Sequence, residues 1–185
     1  QFIVNKERMG KANALNSTVK LSTGKVLLFL DSDVGIPTDP DYLRKIIMEM
    51  QQADVLDIKK KVTKDKSFLS KMAYYEYLTF NISSWLASKY MHKCPAVNGA
   101  AFAIKRDIFE KVHGFRKVVA EDIDIATRAF LEDSSFAYSY DVEVENEVHT
   151  NWRKWFTQRR RWAIGQALWL KDWYKPLAKK FIKKP

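Results

Sequence analysis

The chain has 185 residues, 46% of them hydrophobic, and a formal net charge of +10; this is enough for one domain with a sizeable core, which excludes a disordered tail and favours an anionic partner such as nucleic acid, anionic lipid or a phosphorylated small molecule. Cys94 is the only cysteine, which excludes a disulfide framework and a paired-thiol zinc site and suits a reducing compartment. The longest uninterrupted apolar run, around Val26 to Leu30, is far short of the roughly 20 residues of a membrane-spanning helix, so this chain is not expected to cross a bilayer itself.

The sequence opens on Gln1, with neither an initiator Met nor a signal peptide, and enters an apolar "FIV" at once, as a piece of something longer would. "KANALNSTVKLSTG" then reads as a helix stopped at Gly24, and "KVLLFL" as a buried strand that ends in "DSD". "DPDYLRKIIMEMQQA" has a carboxylate and Pro in its first turn, as a helix start does, and "DVLDIKK" follows as a strand. Two alternations of strand and helix predict an α/β layer with a parallel sheet.

From Phe68 to about Tyr90 apolar and aromatic side chains recur at helical spacing, and "PAVNGA" breaks the chain before the short strand "AFAIK". A helix from Asp107 to Val112 stops near Gly114; "EDIDIATRAFLED" is a helix with acids in its first turn, and "SFAYSYDVEVENEV" alternates like a strand. Beyond Asn151, Trp152, Trp155, Trp162, Trp169 and Trp173 are interleaved with Arg and Lys up to the closing "KPLAKKFIKKP".

Three groups carry possible chemistry. Asp31 and Asp33 stand at the end of an apolar strand, where ligands of parallel α/β sheets bind, and two carboxylates one residue apart can share a hard divalent cation. The same pattern also fits a plain polar turn, or the first motif of a haloacid-dehalogenase-type phosphatase. That phosphatase, however, needs a later acidic pair at a strand end, and "EDID" opens a helix. Glu121, Asp122 and Asp124 make the second group: a carboxylate kept ionised at a helix N-terminus can accept a proton, although capping explains any one of them alone. In "QRRRW", Gln158, Arg161 and Trp162 share one helical face, while Arg159 and Arg160 are expected to turn away to solvent or an interface. Arg161 can fork onto a phosphate and Gln158 can add an amide hydrogen bond; Trp162 offers a flat surface for a sugar ring or base. An amphipathic surface helix with core tryptophans is the alternative.

Taken in order, "GKANALN", "LLFLDSD", "VNGAAFAIKRDIFEKVHGF", "AEDID" and "QRRRW" resemble a family 2 glycosyltransferase of the membrane-associated branch that includes cellulose, chitin and hyaluronan synthases and ceramide glucosyltransferase. The resemblance covers nearly the whole chain. It implies a GT-A (Rossmann-like) α/β fold, with a mostly parallel sheet flanked by helices, lacking its N-terminal part and followed by C-terminal amphipathic interface helices. Residues 1–150 would form the partial catalytic domain, and 151–185 the Q-x-x-R-W helix with a basic membrane-interface segment.

The resemblance also implies roles. Asp31 and Asp33 would hold Mg²⁺ or Mn²⁺ on the diphosphate of a nucleotide-sugar donor, most simply a UDP-sugar, and Asp122 would be the general base of an inverting displacement. Lys11, Asp31, Gln158 and Arg161 would contact the donor diphosphate, and Trp162, Asn98, Gly99 and Glu121 the glycan or lipid acceptor, at the cytoplasmic face of the membrane. Two departures stand out: Ala120 replaces the usual Thr before E-D, and the two βα units that open family members, with an early Asp on the base, do not precede Gln1, which predicts an incomplete nucleotide pocket and a chain inactive alone. A nucleic-acid-binding module would use the basic aromatic C-terminal part, but it leaves the acids unexplained, and no nucleic-acid partner is expected. His92, His113 and His149 stand at no metal-ligand spacing and read as structural or exposed.

Overall fold

Alternation along the strands assigns each residue to one side of the sheet and so builds two cores at once. The computed structural model describes residues 3, 7–62, 67–148 and 151–183, residue 183 by its backbone only. Strand β1 (Val26–Leu30) sends Leu27 and Phe29 to one side and Val26, Leu28 and Leu30 to the other. In β4 (Ala101–Lys105), Phe102 and Ile104 join the first side, and Ala101 and Ala103 the second. Helices α1 (Lys11–Lys20), α4 (Arg106–Lys111) and α5 (Glu121–Leu131) close the first core through Val19, Phe109, Ile125 and Ala129. The Phe29 ring lies 5.2 Å from Phe102, 5.7 Å from Phe109 and 4.9 Å from Phe115, an aromatic cluster directly beneath the strand end that carries Asp31. Helix α2 (Tyr42–Glu49) closes the second core with Tyr42 and Ile46 against Leu56 and Ile58 of β3 (Val55–Val62) and Val142 and Val144 of β5 (Phe136–Asn146).

The α/β class is as expected, but the pairing is not mostly parallel. The strand order is β1-β4-β3-β5-β2, where β2 is the short Val34–Gly35, and of the four pairings only β3 with β5 is parallel. Strands β1, β3 and β5 do run in one direction, as strand-helix alternation predicts. Strand β4, delivered by the long helix α3 (Phe68–Leu86) and a π-helical turn (Ala87–Met91), inserts between β1 and β3 in the opposite sense. The first helix is also shorter than expected: it ends at Lys20 with a right-handed cap at Leu21, and Gly24 is not a left-handed stop. Left-handed backbone is found instead at exposed His92 and His113, at Asp133 and at Gly114; His149 lies outside the described residues.

Helix α6 (Trp152–Lys183) is one continuous 32-residue element with Pro176 inside it. Its second half docks on α5: the Trp169 indole N–H donates to Thr127 Oγ1 (2.8 Å), the Trp173 indole N–H to Asp124 (3.1 Å), Lys180 reaches the Leu131 carbonyl (3.0 Å), and Phe181 stacks near Phe130. Among the described residues no helix is long and apolar enough to cross a membrane.

Candidate active site

Residues singled out in four separate motifs meet in one crevice lined by Lys11, Asp31, Gly99, Glu121 and Asp122 over a floor of Leu15, Phe29, Phe102 and Phe115. Helix α1 presents Lys11, whose ammonium bridges Asp31 Oδ1 and Glu121 Oε1, each at 2.8 Å. Burial opposes that charge, but the two carboxylates outweigh it and push Lys11 up to about 12. Asn16 staples the other end of α1: its amide donates to the Phe115 carbonyl (2.8 Å) and accepts the Phe115 N–H (2.9 Å), where Gly114 leaves no room for a side chain. The "GKANALN" stretch thus positions Lys11 by a helix pinned through Asn16.

The three acids of "EDID" separate into three environments. Glu121 pairs with Lys11. Asp124 is buried, ion-paired with Arg128 at 2.8 Å and bonded to Trp173, so its role is to hold α5, α6 and the Arg128-bound carbonyls of Val112 and Gly114 together. Asp122, half-buried, accepts the backbone N–H of Gly99 on Oδ2 at 2.8 Å. Burial raises its pKa above the ordinary carboxylate value, and the neighbouring Glu121 charge adds to this; the Ile123 and Gly99 amides and Lys11 pull the other way. A carboxylate with a raised pKa in a crevice has the character of a base that can take a proton.

Asp31 and Asp33 flank the β1 end; Asp33 is exposed, and the Asp31 side chain is 35% exposed beside Lys11. The described residues contain no cluster of three or more His, Cys, Asp or Glu able to hold an ion by themselves. Exposed Asp33 and half-buried Asp31, whose Oδ1 is paired with Lys11, nevertheless offer hard oxygen donors that fit Mg²⁺ or Mn²⁺ when phosphate and water oxygens supply the rest of the shell. Tyr77 of α3 lies within electrostatic reach of both acids and of Arg159, and burial pushes its hydroxyl up to about 12.

"QRRRW" is helical as expected, but its division differs from the sequence reading. Arg159 does not turn to solvent: it pairs with Glu76 of α3, donates to Gln158 Oε1 (2.6 Å) and stacks over Trp162 (4.2 Å to the ring centre) and Trp155 (5.0 Å). Trp155 and Trp162 stand at i−4 and i+3 from Arg159, so the three share a face, and that spacing is visible in the sequence. Gln158 and Trp162 are therefore joined through Arg159, while Arg161 is exposed and lines an open hollow of about 300 Å³ with Val119, Thr157, Arg160 and Ile164. The motif helix packs through Gly165 on the segment just before α5, where a Cβ would lie 3.2 Å from the Ala120 side chain and 3.3 Å from that of Val119, and none of its residues lines the crevice. Replacing Arg159 with Met leaves Glu76 unpaired and removes both stacking contacts; an unfolding free energy lower by about 1–3 kcal/mol is expected in a urea titration with unchanged slope.

A mixed sheet with helices on both faces, and acids gathered where β1 and α5 begin the crevice, is the GT-A glycosyltransferase architecture. A mannosyltransferase from Pyrobaculum calidifontis, PcManGT, solved in complex with GDP-Man and Mn²⁺, matches 87% of this chain and 42% of its own at a TM-score of 0.63 and 23% identity. TarS 1-349 of S. aureus, solved in complex with UDP-GlcNAc, matches at a TM-score of 0.50 and 16% identity over 77% of this chain and 40% of its own. Residues 26–182 match the family model of glycosyl transferase family group 2, and the chain belongs to that family. The probable glycosyltransferase YdaM of Bacillus subtilis (strain 168) is 31% identical over 84% of this chain, and probable glucomannan 4-beta-mannosyltransferase 3 of Arabidopsis thaliana is 26% identical over 75% of it. The chain spans 38% and 26% of the lengths of these two relatives.

Proposed function

We propose that the protein containing this chain transfers a sugar from a nucleoside-diphosphate donor to a hydroxyl of a glycan or lipid acceptor with inversion, and that Asp122 is the base. The observation that carries this reading is the convergence of Lys11, Asp31, Glu121 and the amide-held Asp122 from three separate elements on one crevice. Asp122 takes the acceptor proton as the hydroxyl oxygen attacks the anomeric carbon and the bond to the diphosphate breaks. Lys11 faces the departing negative charge, and Gln158 and Arg161 close on the diphosphate from α6. Asp31 and Asp33 would hold Mg²⁺ or Mn²⁺, which would supply further charge stabilisation at the diphosphate. Asn98, Gly99, Glu121 and Trp162 border the acceptor side.

The family resemblance implies a UDP-sugar donor, whereas the glucomannan mannosyltransferase relatives support mannose and the GDP-Man complex of PcManGT supports its GDP-linked form. Location at the cytoplasmic membrane face is supported by one exposed face of α6, where Lys171, Lys175 and Lys179 alternate with Tyr174 and Ile182. A nucleic-acid module is not favoured, because Arg159 of the basic stretch is committed to Glu76.

The test is transfer of radiolabelled mannose from GDP-mannose, and of glucose and N-acetylglucosamine from their UDP donors, by the full-length protein in membranes. Incorporation into lipid or polymer from one donor, abolished by EDTA and restored by Mn²⁺, is the expected result; no incorporation from any donor by folded protein contradicts the reading.

A further inference from the structure

The buried charges of β3 are used by none of the roles above. Asp57 and Lys60 have side chains only 3% and 1% exposed, and they form an ion pair. Residues three apart in a regular strand face opposite sides, but the ladder with β5 shifts register between Asp57 and Lys59, and at this irregularity the two side chains meet. A buried pair is costly to desolvate and contributes little net stability, so its presence calls for another reason. Its surroundings supply one. Asp57 Oδ2 accepts the Ser84 hydroxyl (2.6 Å), and Asp57 Oδ1 accepts both the Lys60 ammonium and the backbone N–H of Asn98 (3.3 Å). The very next amide, Gly99, is the donor to Asp122. Asn81 of α3 brackets Lys60 from outside, giving its amide oxygen to the Lys60 N–H (3.2 Å) and its amide N–H to the Lys60 carbonyl (2.7 Å).

We propose that Asp57, held by Lys60 and Ser84, is a positioning residue for sugar transfer: it grips the Asn98 amide and so fixes the turn whose Gly99 amide aims the Asp122 carboxylate. Two acids on different elements thus receive two consecutive amides of one turn, and the second acid is the one that faces the crevice. The inference rests on the reading of Asp122 as the base. Because the Asp57 side chain is almost wholly enclosed, its effect passes through the turn and not through contact with substrate.

The experiment compares Ser84→Ala and the double variant Asp57→Leu/Lys60→Met, which leaves the Asn98 amide and the Ser84 hydroxyl without their acceptor, with wild-type full-length protein, with Asp122→Asn run beside them. Ser84→Ala removes one hydrogen bond and is expected to lower kcat about threefold. The double variant removes both charges without stranding either and is expected to lower kcat about tenfold while donor KM stays within about twofold, since only the base is misaimed. Wild-type kcat in both variants overturns the proposal, as does a loss carried by donor KM, which a general loosening of the fold would give. Should the double variant fail to fold, Ser84→Ala decides alone, and wild-type kcat there overturns it. Transfer retained by Asp122→Asn would instead sink the base assignment, a separate result from either of these.

Discussion

Asp122→Asn is expected to lower kcat for sugar transfer by about 10²–10⁴-fold, the contribution of a positioned general base, while the protein becomes more stable at neutral pH. Asparagine keeps an oxygen to accept the Gly99 N–H, so the turn is retained and only the proton acceptor is lost. The stability change follows from the sign of the shift. The folded protein holds Asp122 above the ordinary carboxylate value, chiefly through burial and then through Glu121. Ionised Asp122 therefore disfavours the fold at pH above its folded pKa, and the penalty vanishes as pH falls below the unfolded value near 4. The Asn variant should melt higher than wild type at pH 7, with the gap closing on acidification. The acid limb of the wild-type kcat profile should likewise lie above the ordinary Asp range, with Glu121 and Lys11 the charged groups facing the base. A variant both inactive and less stable at neutral pH would show that Asp122 is a structural acid.

Gly99→Ala is expected to lower kcat by about 10²-fold with the fold intact. A Cβ at Gly99 would lie 2.4 Å from Asp122 Oδ2, 2.8 Å from its Cγ and 2.9 Å from its Cβ, so the three nearest atoms all belong to Asp122. Gly99 is not in the left-handed region, so alanine meets no backbone strain and its damage falls on the Asp122 carboxylate. Rotation can carry Oδ2 and Cγ aside, but Cβ is fixed to the backbone of α5, so the turn and the helix start must also shift and some stability is lost. The check is steady-state kinetics beside a thermal melt: a kcat loss with a lower Tm but nearly unchanged donor KM is predicted, and wild-type kcat would mean that the Asp122 aim is not set from Gly99.

Much of this site was legible because its residues stand where local patterns break. Asp31 ends an apolar strand and Glu121 and Asp122 open a helix, boundaries that periodicity reveals; Gln158 and Trp162, inside α6, share the expected helical element but do not line the crevice. The sheet was less legible, because alternation of strand and helix gives strand direction but not adjacency, and nothing local says that β4 enters between β1 and β3. Arg159 is expected from the sequence at solvent or an interface, and of the two it takes the interface with α3; Trp155 and Trp162 at i−4 and i+3 are the local mark of its stacking. Asp57 and Lys60 left the faintest signal: a carboxylate in the middle of "VLDIKK" is an odd residue for a core strand, but its partners Ser84 and the Asn98 amide come from segments 27 and 41 residues away. Such contacts depend on topology and are not written in any window of the sequence.

The measurement that bears most directly on the central claim is calorimetric titration of GDP and UDP into the full-length protein, with Mn²⁺ and then with EDTA, for wild type and for Asp31→Asn/Asp33→Asn. The account predicts that one nucleotide binds only with Mn²⁺ and that the double variant loses this binding; equal binding in EDTA, or no nucleotide binding by folded wild-type protein, would contradict it.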